Sequence, residues 1–381
     1  MIYLDNSATT APSEEVLSSF VEVNKRFYAN AASLHRAGRE AEALLDRTRE
    51  QILSIVNAPD GEVIFTSGGT EANNLALLGF ARKFASRGNH IITTSIEHPS
   101  VLHAVKQLEK DGFEVDFLSV NEQGMISIDE LKEKLREDTI VVSIMHVNNE
   151  IGTIQPIKEA AQIIKKNSRA VFHSDIIQSF GKLPITLTGD GPDAVTVSAH
   201  KIHGLKGSGA LIMRKGITPV AINHGGGQEQ GLRSGTVSVP DAAALARAMR
   251  LSSENNMAEE FNQWRNRLID YINGTKDVVI LSKENSAPHI LALAFYHIKG
   301  EIAVNYFQEN GITISTSSAC SSKSGRVGHV IEAIGLPEKY KNGVVRISFG
   351  KDNVKEHVLQ FEKVFTDFVN LLERGKSYEV E

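Results

Sequence analysis

The sequence predicts an α/β fold, a mainly parallel seven-stranded sheet flanked by helices, with a smaller α+β domain beside it. Three observations lead there. From about residue 60, short strand-like runs alternate with amphipathic runs of helix length, which is the signature of a parallel sheet covered on both faces. After about residue 250 that alternation loosens. The chain, at 381 residues and 41% hydrophobic, is long enough for two or three domains with ample core.

Taken in order, Ser13 follows Pro12 as a helix N-cap, with Glu14 and Glu15 in the first turn. Val16, Leu17, Phe20, Val23 and Phe27 then form an apolar stripe. "EVIFTS" reads as a strand, followed by a helix from Thr70 to Arg87 that stops at Gly88. "HIITTS" is the next strand and Ser100 to Lys110 the next helix. "FEVDFLSV" is a third, after which Ser127 and Glu130 have the spacing of a capping box. "TIVVSIMHV" precedes a helix from Ile157 to Lys166, and "AVFHS", "DAVTVSA" and "ALIMR" complete the set. Beyond these, the amphipathic "MAEEFNQWRNRLIDYING" leads into strand-like "HILALAF", "GITIST" and "VVRISFG" and a closing helix. The expected division is a large domain over residues 14–257 and a small one built from residues 1–13 and 258–381.

Bulk properties narrow the function. A net charge of −5 supplies no basic surplus for phosphate backbones, which argues against direct nucleic-acid binding. No apolar run reaches membrane-span length, and "MIYLDNSATT" has neither a basic nor an apolar leader region, so a cytoplasmic location is expected. A single cysteine excludes an internal disulfide framework and a multi-thiolate metal site. The thirteen histidines fall in no metalloprotease spacing, and no metal is expected.

Ligands of open parallel sheets bind beyond the carboxyl ends of the strands. There the sequence carries "SGGTE", then His98 in "IEHPS", Asn148 and Asn149 in "VNNE", Asp175 and Gln178 in "HSDIIQS", and Ser198, His200 and Lys201 in "SAHK". Gly68 and Gly69 bare the backbone where Thr70 is expected to cap a helix, an arrangement suited to a phosphate; an ordinary capped turn is the alternative. Neither "SGGTE" nor "GLKGSG" is a Walker loop. Asp175 ends a buried strand and needs a cationic or strongly donating partner, which a protonated pyridine nitrogen would supply. Lys201 is open to three readings: a surface charge, a phosphate ligand, or a desolvated amine nucleophile. Lys206, in the loop beyond, is the second lysine. A phosphate site, a pyridinium partner and an amine that bonds an aldehyde together describe pyridoxal phosphate. Cys320 lies in the Ser- and Gly-rich "TISTSSACSSKSG", whose composition alone reads as a linker.

"YLDNSATT", "FTSGGTEANN", "MHVNNEIGTIQPI", "SAHKIHGLKG", "GGGQEQGLRSGT" and "SSAC" resemble the motifs of the cysteine desulfurases, class V aminotransferases of the pyridoxal-phosphate fold type I. The resemblance runs from Tyr3 to "VVRISFG". It implies that Lys201 bonds the cofactor, that Asp175 pairs with its ring nitrogen and that His98 stacks on the ring. It places Asn149 and Gln178 near the ring and the substrate, and Gly69, Thr70, Ser198 and His200 at the phosphate. Thr236 is implied to reach that phosphate from the second subunit of a homodimer, and Arg346 to hold the carboxylate of L-cysteine. Cys320 is implied to accept sulfur as a persulfide, on a long catalytic loop, and to pass it to an acceptor protein, an iron–sulfur scaffold or a tRNA-thiolating enzyme.

Three positions depart from that pattern. Gly69 stands where alanine is usual, "HSDIIQ" replaces the common His-Val-Asp-Ala-x-Gln and puts the bulk of Ile177 two residues beyond Asp175, and Gln230 replaces a common arginine. Other class V activities, a selenocysteine lyase, an aminotransferase or a cysteine-degrading lyase, compete with the desulfurase. A non-catalytic module that keeps the fold is a further alternative, against which Lys201, Asp175 and Cys320 together argue.

Overall fold

The computed structural model describes residues 1–316 and 328–377. The chain opens with β1 (Ile2–Tyr3), α1 (Glu14–Arg26) and α2 (Arg36–Ile55). Seven strands follow: β2 (Glu62–Thr66), β3 (His90–Thr94), β4 (Glu114–Leu118), β5 (Thr139–Ser143), β6 (Val171–Asp175), β7 (Ala194–Ser198) and β8 (Gly209–Met213). Between them lie α3 (Gly69–Phe84), α4 (Pro99–Lys110), α5 (Ile128–Lys134) and α6 (Ile157–Asn167). The strands form one sheet in the order β2-β8-β7-β6-β5-β3-β4, parallel except for the two pairs made by β8.

Side chains of period two sort onto the two faces of this sheet. Val63, Phe65, Ala210 and Ile212 join the core shared with α1, α2 and α7 (Val239–Glu254), while Ile64, Leu211 and Met213 join the core under α3 and α4. The chain runs from β3 outward to β4, then returns inside β3 to β5, β6 and β7. A crevice opens at such a reversal, and the segments after β3 and β5 flank it.

The remaining elements are α8 (Ala258–Ile272), β9 (Val278–Ile280), β10 (Ile290–Phe295), α9 (Gly300–Glu309), β11 (Ile312–Thr313), β12 (Ser315–Thr316) and β13 (Val344–Ser348). Short helices His329–Ala333 and Glu338–Lys341 and the helix Lys355–Ser377 complete them. A four-stranded antiparallel sheet has the order β12-β13-β10-β9, and β1 pairs with β11. "GITIST" is thus two strands in two sheets. An aromatic cluster covers the antiparallel sheet: Phe307 stacks on Phe361 at 4.9 Å and Phe295 meets Phe368 edge-on at 5.3 Å. Each such pair contributes roughly 0.5–1.5 kcal/mol beyond area burial.

Two local expectations are corrected. Helix α3 begins at Gly69 with Gly68 at its N-cap, so Thr70 lies in the first turn and is not the cap. At α5, Ser127 accepts from the Glu130 N–H as expected, but the Glu130 carboxylate reaches away to the Ser119 amide and hydroxyl, so the box is not reciprocal. Among the described residues no helix is long and apolar enough to cross a membrane.

Candidate active site

The strand ends of the main sheet converge as the sequence predicts, and two further segments join them. At the end of β2, Gly68 has φ +150°, a conformation that suits only glycine, and it turns the chain so that the first-turn N–H groups of α3 open outward. A Cβ on Gly69 would lie 2.2 Å from Ile177 Cδ1 and 3.5 Å from Ser198 Cβ, so the bulk of Ile177 reaches the turn itself. Gly68 and Gly69 line a groove of about 390 Å³ with Thr70, Ser198, His200 and Lys206. Burial, with the Lys201 and Lys206 charges, pushes the His200 imidazole down to about 4, so it is neutral at pH 7. Its Nδ1 lies 3.2 Å from Thr9 Oγ1.

Backbone closeness builds this groove from below. A Cβ on Gly209 would meet Gly68 backbone carbon at 2.7 Å and the Val197 carbonyl at 2.8 Å. We expect Gly209→Ala to displace the turn after β2, at roughly the 1–3 kcal/mol of an overpacked core site. Pyridoxal-phosphate affinity, measured by equilibrium dialysis, should fall about tenfold, since 1.4 kcal/mol is a factor of ten; unchanged affinity would disconnect β8 from the turn.

Asp175 ends β6 and is buried. Its Oδ2 accepts from Asn73 Nδ2 at 2.8 Å and its Oδ1 from the Ile177 N–H at 2.9 Å, both neutral donors. Asn73, fully buried on α3, also donates to Ser100 Oγ at 2.9 Å. Its position in "TEANN" carried no assigned role, yet it faces the sheet because α3 buries that stripe.

His98 caps α4, with Pro99 in the first turn. Its Nδ1 accepts from the Ser100 N–H at 3.2 Å, which leaves the ring proton on Nε2. Burial lowers its basicity, with the Asp175 carboxylate opposing and the Lys201 ammonium assisting. Beside it, Glu97 is fully buried, and burial, reinforced by Asp175, pushes its carboxyl up to about 8. Its Oε1 accepts from the Met145 N–H at 2.7 Å and Thr94 Oγ1 at 2.9 Å, pinning the end of β3 to the segment after β5. Asn148 is structural, bridging Ile96 and the turn at Glu150 and Ile151.

Lys201 follows β7 through one 3-10 turn. Its Nζ donates to the Ser7 and Ala8 carbonyls at 2.5 and 2.8 Å. Burial is the main cause that lowers its amine to about 7, with Arg346 and Lys182 adding to the shift and Asp5 and Asp175 opposing it. Gln178 Nε2 donates to the same Ser7 carbonyl at 3.0 Å. The N-terminal segment thus forms one wall, a role that "YLDNSATT" did not disclose because it has no strand or helix period.

Arg346, buried on β13, donates from Nη2 to Asp5 Oδ1 at 2.8 Å and from Nη1 to the Asn149 carbonyl at 2.8 Å. Its buried Nε has no partner among the described residues. Glu71, in the first turn of α3 and on the groove wall, receives Arg233 at 2.7 Å and the Ser67 N–H at 2.6 Å. That ion pair ties the loop carrying Thr236 to the groove, although Thr236 itself is exposed and is not on the groove wall. Cys320 lies outside the described residues.

The arrangement fits pyridoxal phosphate on its own terms. It offers a bare helix start for a phosphate, a buried carboxylate met only by neutral donors for a ring cation, and a desolvated amine for an aldehyde.

The aminotransferase class-V family model matches residues 2–361. The chain is 37% identical to "Cysteine desulfurase IscS 1" of Archaeoglobus fulgidus, over 98% of both chains. Among solved structures, "NIFS-LIKE PROTEIN" superposes with a TM-score of 0.89 at 36% identity, covering 98% of this chain and 99% of that one. "SspA in complex with cysteine" superposes with a TM-score of 0.81 at 34% identity, covering 93% of this chain and 100% of that one.

Proposed function

Because this chain belongs to the class-V aminotransferase family and is a pyridoxal-phosphate-dependent cysteine desulfurase, we propose that the residues gathered at the strand ends divide its reaction as follows. Arg346 binds the carboxylate of L-cysteine through the fork that Asp5 and Asn149 hold in place. When bound, the cofactor supplies an electron sink for charge developing at the substrate Cα. Asp175 holds the proton on the ring nitrogen, with Asn73 fixing its orientation. His98 and Ile177 enclose the ring, and Asn149 and Gln178 border it. Gly69, Thr70, Ser198 and His200 receive the phosphate, with Thr236 reaching it from a second copy. Lys201 is the anchor and the base that moves the Cα proton, because its amine is substantially neutral near pH 7.

Sulfur leaves the substrate β-carbon as the Cys320 thiolate attacks it. The carbon keeps the bonding electron pair and takes a proton to give alanine, and Cys320 holds the persulfide. The sulfur then passes to an acceptor protein, an iron–sulfur scaffold or a tRNA-thiolating enzyme. The desolvated amine of Lys201 beside Asp175 carries this reading. Its test is mass-spectrometric mapping after incubation with L-cysteine: one added sulfur on the Cys320 peptide, equimolar with alanine at first turnover. Sulfur on no peptide, or a keto-acid product, would refute it. Faster alanine formation with one candidate acceptor would identify the pathway.

The amine also sets an expected pH dependence. Only the neutral form attacks an aldehyde, so cofactor uptake by apoprotein should rise with pH through about 7 and then level. Stopped-flow absorbance checks this. A rate that keeps rising to the ordinary lysine range would show that Lys201 is not desolvated.

The division at residues 14–257 against 1–13 and 258–381 is supported by a core that unites Leu4 with residues from Phe261 to Phe368. A homodimer is supported by Thr236, exposed on a loop bound to the phosphate turn through Arg233, and by Tyr28 and Leu34, which are 81% and 90% exposed. Sedimentation of the holoenzyme tests it: a monomer would remove Thr236 from the site.

A further inference from the structure

A second cavity, of about 90 Å³ and lined by apolar as well as charged side chains, lies where the main sheet meets the antiparallel one. Lys182, Lys201, His203, His289 and Lys351 line it, and Glu15 is the one acid on its wall. Glu15 is exposed at the rim, where it already feels the Lys351 charge. Deeper in, His289 is 1% exposed, and both of its ring nitrogens are buried without a partner among the described residues. An imidazole left so costs desolvation on both nitrogens unless something in the cavity meets them.

Lys182 adds charge to the same space. Its Nζ donates to the Lys201 carbonyl at 3.1 Å, which leaves two of the three ammonium protons without an acceptor among the described residues. Burial lowers this amine to about 8, and no carboxylate among the described residues opposes that shift. His289 is held neutral by burial and by the Lys182, Arg346 and Arg265 charges. Around Lys182 and His289 the wall is therefore donors and positive charge, with no carboxylate among the causes of either shift.

We propose that this cavity is a binding site for one small monovalent inorganic anion, of chloride size, held by the Lys182 ammonium and the His289 N–H. The cavity has room for a monatomic ion together with several waters. Such an ion would balance a charge placed directly behind the Lys201 backbone, so it would stabilise the folded protein. The proposal does not depend on the catalytic roles assigned above.

Bromide is the probe. Holoenzyme crystals soaked in bromide should show an anomalous peak within hydrogen-bond reach of Lys182 and His289. In solution, exchanging gluconate for chloride at constant ionic strength should raise the thermal midpoint by on the order of 2 °C at tenfold the dissociation constant. Lys182→Met should abolish that rise. If that variant does not fold, His289→Leu serves for the same comparison. No bromide peak in the cavity would overturn the proposal. So would a peak without a midpoint shift, which means an adventitious ion only, or a shift that survives both substitutions.

Discussion

Lys201→Ala should lower alanine formation from L-cysteine by about 10³-fold or more, the range lost with an essential general base and anchor. Borohydride should no longer fix the cofactor to the chain, and the visible band of the purified protein should shift. The glycine turn, Ser198 and Asp175 are untouched by the change, so dialysable cofactor should still bind. This separation of retained binding from lost turnover distinguishes an anchor from a structural lysine. Lys201 also holds the Ser7 and Ala8 carbonyls, so some loss of thermal stability is expected alongside. If turnover falls less than about tenfold, or borohydride still fixes the cofactor, the base lies elsewhere. Lys206, exposed on the groove, is then the next lysine to test.

Cys320→Ala should leave the visible spectrum and cofactor content unchanged, yet reduce sulfide release with a thiol reductant by at least about 10²-fold, since the covalent sulfur carrier is gone. Cysteine should still bind and perturb the spectrum, because Arg346 and Lys201 are intact. The two variants thus fail at different points, one at the Cα proton transfer and one at the sulfur transfer. Sulfide release at the native rate would mean that the reductant attacks the substrate sulfur directly or that sulfide is lost by β-elimination, and would leave the cysteine without a role.

Much of this was legible because the chemistry sits where the fold needs particular residues anyway. Strand runs such as "AVFHS" and "DAVTVSA" end in Asp175 and Ser198, and parallel topology brings such ends to one edge whatever their sequence separation. Helix α2 was missed, although Ala41, Leu45, Thr48 and Ile52 keep its buried stripe. Small and hydroxyl residues occupy half of those positions, which flattens the apolar period. Glu97 and Asn73 were missed for another reason. Their roles depend on burial against Met145 and Asp175, partners 48 and 102 residues away, and no local pattern reports such pairing. The segment of Asp5, Ser7 and Ala8 was opaque likewise, because its contribution is mainly two backbone carbonyls, which any residue carries.

That segment has a consequence for how the enzyme is made. Tyr3 pairs with Thr313, the Ser7 amide rests on Ser348 Oγ, and Asn6 Nδ2 bonds the Ser348 carbonyl across 342 positions. Asn6 and Ser7 therefore acquire their places only after the chain through Ser348 has been made. Contacts of such range close late, since the entropy of ordering the intervening chain must be met first. The main sheet can assemble during synthesis while the amine's wall is still open, and vitamin B6 capture becomes a late checkpoint of biogenesis.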